Sequence, residues 1–490
     1  MPASTQQIQS GTALYWARDD LRLADNPALC AAIDTGRPVT ALYILDETTN
    51  GHWALGAASK WWLHHSLQSF AASLAKLNIQ LVLRRGDPAK LAPALAAESG
   101  AARVFWNRRY VSAEQALDEK IKSSFKDAGI EARSFRGNVL AEPWEILTGA
   151  KTPYKVYSPF WRELRTRLSD LQPLAAPGVA TKAKKRFPSD ALKDWALTPS
   201  KPNWAKDFPD FWTPGEVGAQ KRFSDFIDQD LDNYARGRDI PGEIHTSHLS
   251  PHLRFGEISI RQAMKTILAL RDDANAEKFA SELGWRDFAY YLLHHFPKFP
   301  DHNWRGDFDA FSWRNDRKHL RAWQQGKTGY PLVDAGMREL WATGYMHNRV
   351  RMVAASFLIK HLLIDWRRGE EWFWDTLVDA DLANNSVSWQ WVAGSGADAA
   401  PYFRIFNPVT QGERFDAAGA YVRRWIPELA KLPDRYIQAP WAAPEEVLGA
   451  AGVMLGKSYP APIVDHKQAR ERALGAFQSM SKSRSVGVTA

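Results

Sequence analysis

The apolar residues change rhythm once along this chain, near residue 136, and that change limits what it can fold into. Before it, short apolar runs at Ala13–Trp16, Val39–Leu45, Gln80–Leu83 and Val104–Trp106 read as buried strands. They alternate with helical periodicity at Pro27–Asp34, Ala57–Leu74, Ala89–Ala97 and Ser112–Ala128, and Glu131–Phe135 adds a fifth strand. Such alternation predicts a parallel sheet covered by helices on both faces. From about Val217 the pattern is helical almost to the end: Arg222–Tyr234, Ile260–Arg271, Lys278–Phe296, Arg317–Gln324, Val333–Ala342, Arg349–Leu363, Glu370–Leu377 and Lys467–Met480. Between them, prolines from Pro143 to Pro214 punctuate a long connection with a basic run at Lys182–Arg186. The expected organisation is an α/β domain over 1–136, a connection over 137–216 and a larger all-α domain over 217–490.

Composition removes several function classes. No apolar run approaches the roughly 20 residues of a membrane span, and the Met-Pro-Ala-Ser start is not a signal peptide, so a reducing cytoplasm is expected. Cys30 is the only cysteine, which excludes internal disulfides, thiolate-held iron–sulfur clusters and zinc ribbons. A net charge of +8 favours polyanionic partners. The unusual quantity is 22 Trp, nine of them from Trp304 to Trp391, which asks for stacking or electron transfer beyond core filling. The first turn, Ala17-Arg-Asp-Asp-Leu-Arg22, has no G-x-G-x-x-G and no Walker lysine, and reads as a salt-bridged turn. In the pair Trp61-Trp62 one indole is expected in the core, with His64 and His65 at the surface.

Chemistry concentrates in four places. Asp379-Ala-Asp-Leu-Ala-Asn-Asn-Ser-Val-Ser-Trp389-Gln-Trp391 puts two carboxylates, two amides and two indoles into a loop-like stretch. Paired carboxylates need a cation, and Arg351 is the candidate for Asp379. A calcium loop is excluded because Ala383, Asn384 and Gln390 stand where an oxygen ligand, Gly and Glu belong. A polar turn and a binding site remain equal alternatives on this stretch alone. Thr246-Ser-His-Leu-Ser250 offers hydroxyls and N–H groups to a phosphate, or simply caps a helix. His245, His248 and His252 do not make a metal site, since Pro251 interrupts them and no thiol is near; no metal is expected. Glu282, Trp285 and Arg286 share one helix face, as do Asn348, Arg351 and Met352; each set suits a polar aromatic ligand or a salt-bridged surface.

Together these motifs resemble the DNA photolyase/cryptochrome family. The resemblance rests on Arg18–Pro27, Thr328–Arg338, Met346-His-Asn-Arg-Val-Arg-Met352, Asp379–Asn385, Trp389-Gln-Trp391 and Ala399-Ala-Pro-Tyr-Phe-Arg-Ile-Phe-Asn-Pro408. It covers nearly the whole chain in order and is strongest toward bacterial cyclobutane pyrimidine dimer (CPD) photolyases, of the class nearest plant cryptochromes (class III). It implies a Rossmann-like first domain and FAD in the helical domain. Tyr234, Thr246, Ser247, Leu249 and Ser250 would lie around its phosphates and adenosine, and Arg351, Asp379, Asp381 and Asn385 around its ribose and isoalloxazine. Asn385 would face flavin N5, where cryptochromes of animals and many plants carry Cys or Asp.

The resemblance also implies a flipped pyrimidine dimer clamped by Trp285 and Trp391, hydrogen-bonded by Glu282 and Asn348 and packed on Met352. Members that repair (6-4) lesions carry His where Asn348 and Met352 stand. Arg238, Arg286 and Arg349 would hold flanking phosphates of UV-damaged DNA. Trp389, Trp366 and Trp313 align with the family's electron chain, with Trp323, Trp372 and Trp374 as further candidates. Glu114 lies where some members bind a methenyltetrahydrofolate antenna, although Ala113 replaces the Asn beside it. The implied activity is light-driven dimer repair by a monomer; the alternative is a blue-light photoreceptor.

Overall fold

The computed structural model describes residues 11–270, 273–398 and 403–486. Positions 399–402 of the Ala399–Pro408 motif, Arg271 and the end of the tail lie outside them. Two compact units are present: one holds the residues through Trp204 with Trp212–Ile227 and Ser247–Pro297, the other Ala205–Phe211, Asp228–Thr246 and the chain from Lys298.

The first unit contains the expected sheet. Strands β1 (Thr12–Ala17), β2 (Val39–Leu45), β3 (Gln80–Arg85), β4 (Ala101–Asn107) and β5 (Glu131–Phe135) are all parallel, in the order β3-β2-β1-β4-β5. Helices α1 (Pro27–Ile33), α2 (Ala57–Lys76), α3 (Pro88–Ser99) and α4 (Ser112–Asp127) connect them. β2 is buried at every position, which is why it reads as one apolar run. The strand order reverses beside β1, so a crevice lies beyond the carboxyl ends of β1 and β4.

The turn after β1 fills that crevice with charge, and its partners differ from those expected. The charges do not pair within the turn. Arg18, buried, gives two hydrogen bonds to Asp118 at 2.6 and 3.1 Å and one to the Asn107 carbonyl. Asp19 pairs with Arg254 at 3.0 Å, and Asp20 accepts from the Arg18 N–H at 2.6 Å and the Tyr15 hydroxyl at 2.9 Å. A buried charge needs a partner wherever the fold can bring one, and sequence spacing does not reveal which. Trp61 and Trp62 also depart from expectation: both are in the core.

The Pro-rich connection is not featureless. It carries helix α5 (Tyr157–Arg165), whose Tyr157, Phe160 and Leu164 are buried. Tyr157 and Phe160 pack on the Ala274–His295 helix of the same unit, through Trp285, Phe288 and Tyr291.

In the second unit the expected helices are present, with the following differences. The 379–391 stretch is not a loop: Leu382–Ala393 is a helix, started by Asp381, whose side chain accepts from Asn384 N, and ended by Gly394 in the left-handed region at φ 90°. Its buried polar residues Asn385, Ser386 and Gln390 had masked its period. The helix expected over Arg349–Leu363 ends at Ser356 and continues as a π-turn, Phe357–His361. There Lys360, fully buried, donates to the carbonyls of Val392 at 3.0 Å and Arg404 at 3.2 Å. The last helix runs His466–Val486, beyond the end expected at Met480. Among the described residues no helix is long and apolar enough to cross a membrane.

Replacing Asp118 by Ala would strand Arg18 and the Trp106 Nε1–H, which donates to Asp118 at 2.9 Å. The variant should lose about 3–5 kcal/mol of stability in a denaturant titration, whereas a surface change such as Lys120→Ala should lose little.

Candidate functional site

Two helices of the second unit and the turns before them carry nine of the expected residues. His347 caps the Asn348–Ser356 helix, its ring accepting from Arg349 N. Asn348 at its start is exposed, and Arg351 and Met352 are half-buried. Arg351 Nη2 donates to both oxygens of Asp379, at 3.1 and 2.9 Å, while its Nε donates to the Met346 carbonyl at 2.7 Å. Burial works against the guanidinium charge, but Asp379, with Tyr345 and Glu339, holds Arg351 above its ordinary pKa. The guanidinium also lies 5.0 Å from the Tyr345 ring centroid, and burial pushes the Tyr345 hydroxyl, hydrogen-bonded to Thr246, up to about 12.

Three residues beyond the expected set organise this corner. Glu339 accepts from His347 N at 3.0 Å and from the Tyr421 hydroxyl at 2.5 Å, and burial raises its carboxyl to about 7. Glu370, fully buried, binds the next helix twice: its carbonyl accepts from Asn385 Nδ2 at 3.1 Å and its carboxyl from the Ser386 hydroxyl at 2.5 Å. Desolvation raises Glu370 well above its ordinary pKa. Tyr345 is the third. Glu339 and Glu370 did not stand out in the sequence because a buried acid on a helix looks like any exposed one.

Asp381 accepts from Asn384 N at 2.9 Å and Nδ2 at 2.7 Å, and the Glu370 contact fixes the rotation of the Asn385 amide. Two helical steps of 100° put Trp389 and Trp391 on opposite faces. Trp389 is buried against Phe373 at 5.0 Å and Trp323 at 6.3 Å between centroids; Trp391 is half-buried. The tip of the Trp389 ring rests on Gly369, where any Cβ would collide with it. Gly369 follows Trp366 by three on the Trp366–Thr376 helix, and Trp366 is fully buried, donating to Asn303 at 2.9 Å. Trp313 is half-buried beside Phe311 at 4.5 Å, its segment tied to Leu363 by the Arg314 N–H at 2.7 Å.

Tyr234 is buried in a short helix, Tyr234–Gly237, with Arg238 5.5 Å from its ring centroid. Arg349 pairs with Asp239 at 2.7 Å and lies 4.5 Å from the Phe415 ring centroid.

The first unit holds the remainder. Ser247, Leu249 and Ser250 lie where the backbone turns into the five-residue helix Ser250–Arg254, with His248 at φ 50°. His252 there is bound to Glu257 at 2.5 Å, both buried. Among the described residues no group of three or more His, Cys, Asp or Glu is arranged to hold a metal. On the Ala274–His295 helix, Glu282 pairs with Lys278 at 3.1 Å. Trp285 stacks on Tyr157 at 3.8 Å and 14°. Arg286 is already engaged, donating to the Asn138 carbonyl at 2.8 Å and the Leu253 carbonyl at 3.3 Å. Tyr157 was missed, although Tyr157, Phe160 and Trp161 at helical spacing inside the Pro-rich connection signalled a packed face. Glu114 is buried, bound by Arg109 at 3.0 Å and Asn50 at 2.9 Å, and desolvation raises its pKa despite Arg109.

Residues 13–178 match the family model described as DNA photolyase, and residues 279–479 the one described as FAD binding domain of DNA photolyase. A deoxyribodipyrimidine photo-lyase of Agrobacterium fabrum is 51% identical over 97% of this chain and 99% of its own length. The crystal structure of a bacterial class III photolyase from Agrobacterium tumefaciens, 50% identical, superposes with a TM-score of 0.93 over 98% of this chain and 100% of that one. The chain belongs to the DNA photolyase/cryptochrome family. Cryptochrome-1 of Arabidopsis thaliana is a further member, 37% identical over 96% of this chain and 70% of its own length.

FAD is the cofactor of a photolyase domain of this kind, and the donor set in the second unit suits it. Carboxylates at Asp379 and Asp381 are acceptors suited to N–H and hydroxyl groups, and the Arg351 guanidinium beside Asp379 is a cation. Asn385 is held in one orientation and has no ionisable proton.

Glu339 gives this corner a pH signature. Its folded pKa near 7 exceeds the ordinary 4.5, so its neutral form is the one that favours folding. That contribution is complete below about pH 4.5 and is lost as pH rises through about 7. The stability difference between the native chain and Glu339→Gln should therefore shift against the native chain across this window, read by denaturant titration at pH 5, 6, 7 and 8.

Proposed function

We propose that this protein repairs cyclobutane pyrimidine dimers in DNA with light. The reading places the antenna in residues 1–136, the connection in 137–216 and the flavin in 217–490. When bound, reduced FAD excited by light supplies one electron to the dimer and regains it after the cyclobutane ring opens, leaving no net redox change. Every other task falls to side chains of this chain.

The Arg351–Asp379 pair and the fixed Asn385 amide carry this reading. Asn385 offers a neutral amide to flavin N5 and has no acidic proton to give, which favours an anionic reduced state. Asp379 and Asp381 accept from the isoalloxazine edge and ribose hydroxyls; Tyr234, Thr246, Ser247, Leu249 and Ser250 surround the phosphates and adenosine. A dimer cannot react inside the base stack and is flipped out. Trp285, stiffened from behind by Tyr157, and half-buried Trp391 clamp it, with Met352 beneath. Exposed Asn348 donates and accepts along its polar edge and half-buried Glu282 accepts, its carboxylate being drawn from its exposed partner Lys278. Arg238 and Arg349 hold the flanking phosphates, a salt-sensitive and sequence-blind attraction. Arg286 contributes its charge while its nitrogens brace the backbone at Asn138 and Leu253.

Trp389, Trp366 and Trp313 return an electron to oxidised flavin. The antenna is 5,10-methenyltetrahydrofolate, with Glu114 contributing through the Arg109–Asn50 cluster. The protein works as a cytoplasmic monomer.

The deciding experiment incubates reduced protein with an oligonucleotide carrying one thymine dimer under blue light and follows recovery of absorbance near 265 nm. Intact thymines should return only in the light; a flavin-loaded protein that leaves the dimer intact sinks the repair reading and favours a photoreceptor. Trp389→Phe should slow photoreduction at least about tenfold and leave repair by chemically reduced protein unchanged. Loss of both would refute the electron-supply role.

A further inference from the structure

A groove of about 730 Å³ runs between the Arg317–Gln324 and Trp366–Thr376 helices of the second unit. It lies on the exposed side of the helix whose buried Glu370 anchors Asn385. Its two walls carry opposite charge. Arg317 and Arg321 form one wall, a helical turn apart and therefore on the same face. Both are exposed, and among the described residues neither has a carboxylate at ion-pair distance. Two adjacent unneutralised guanidiniums attract a doubly charged anion, and their planar forks match phosphate oxygens.

The facing wall is acidic. Arg368 is already neutralised by Glu371 at 3.2 Å, and Asp375 adds a second carboxylate one turn on. Trp372 contributes a flat indole between them, parallel to exposed Trp341 at 6° with centroids 6.2 Å apart. A cationic wall, an aromatic wall and an acidic wall together describe one kind of molecule: a planar base with an amino group at one end and a phosphate at the other.

We propose that this groove binds a free mononucleotide with an amino-bearing base, its phosphate on Arg317 and Arg321, its ring against Trp372 and its exocyclic amine toward Glu371 and Asp375. Adenosine and cytidine monophosphates fit; inosine and uridine monophosphates turn a carbonyl oxygen toward the acids and are disfavoured. The site is separate from the flavin-holding residues, and its occupancy does not depend on light or on repair.

The test titrates adenosine monophosphate into FAD-loaded protein in the dark by calorimetry. One saturable site should appear below roughly 1 mM, at least about tenfold weaker for inosine monophosphate and for adenosine lacking phosphate. The double variant Arg317→Ala/Arg321→Ala should lose at least about tenfold in affinity at unchanged FAD content, and Asp375→Asn should erase the preference for adenine over hypoxanthine. Failure to bind at about 5 mM, equal affinity in the double variant, or equal affinity for adenosine and inosine monophosphates would overturn the proposal. So would binding of a single-stranded oligonucleotide without the mononucleotide.

Discussion

The ion pair between Arg351 and Asp379 sets the terms for the helical unit. Asp379 is almost wholly buried on its side chain and Arg351 only partly so. A carboxylate in that position needs a cation, and losing either member leaves the other exposed to the full desolvation cost. The pair ties the Asn348–Ser356 helix to the turn that launches Leu382–Ala393. Those are the two elements that carry Asn348, Met352, Asn385, Trp389 and Trp391. Tyr345 and Glu339 then fix Arg351 and the start of its helix from behind. The geometry of the site thus follows from one electrostatic requirement satisfied across the fold.

What was legible in the sequence follows from the same physics. A strand buried on both faces must be apolar at every position, as β2 is, and the five strands were found within three residues of their observed ends. A helix with one buried stripe shows its period, and Arg317–Gln324 was located to the residue. Leu382–Ala393 failed this test because its buried side is lined by Asn385, Ser386 and Gln390 as well as apolar groups. Periodicity counts hydrophobicity, and here the inward face is polar by need. Its position was recoverable only through motif resemblance.

Long-range pairing was the other blind spot. Arg18 with Asp118 and Asp19 with Arg254 are separated by many residues, and no spacing rule connects them. Tyr157 behind Trp285 belongs to the same class: an aromatic in a Pro-rich connection becomes meaningful only when its helix is seen against another. The abundance of tryptophan was a sound signal, yet it mixes two uses. Trp62 and Trp106 are structural posts in the first unit. Trp366 and Trp389 are equally buried but adjoin one another's helices in the second.

The contact of Trp389 with Gly369 has a kinetic meaning. A ring resting on bare main chain has its separation from the neighbouring helix set by backbone packing, with no rotamer in between. Side chains hop among wells; two packed helices scarcely move relative to each other on the same timescale. Electron hopping is steeply sensitive to separation, so in the electron-supply role proposed for Trp389 a population of molecules built this way would share nearly one hopping rate. In that proposed role Gly369 would narrow a distribution, and its value to the protein would be uniformity from one molecule to the next.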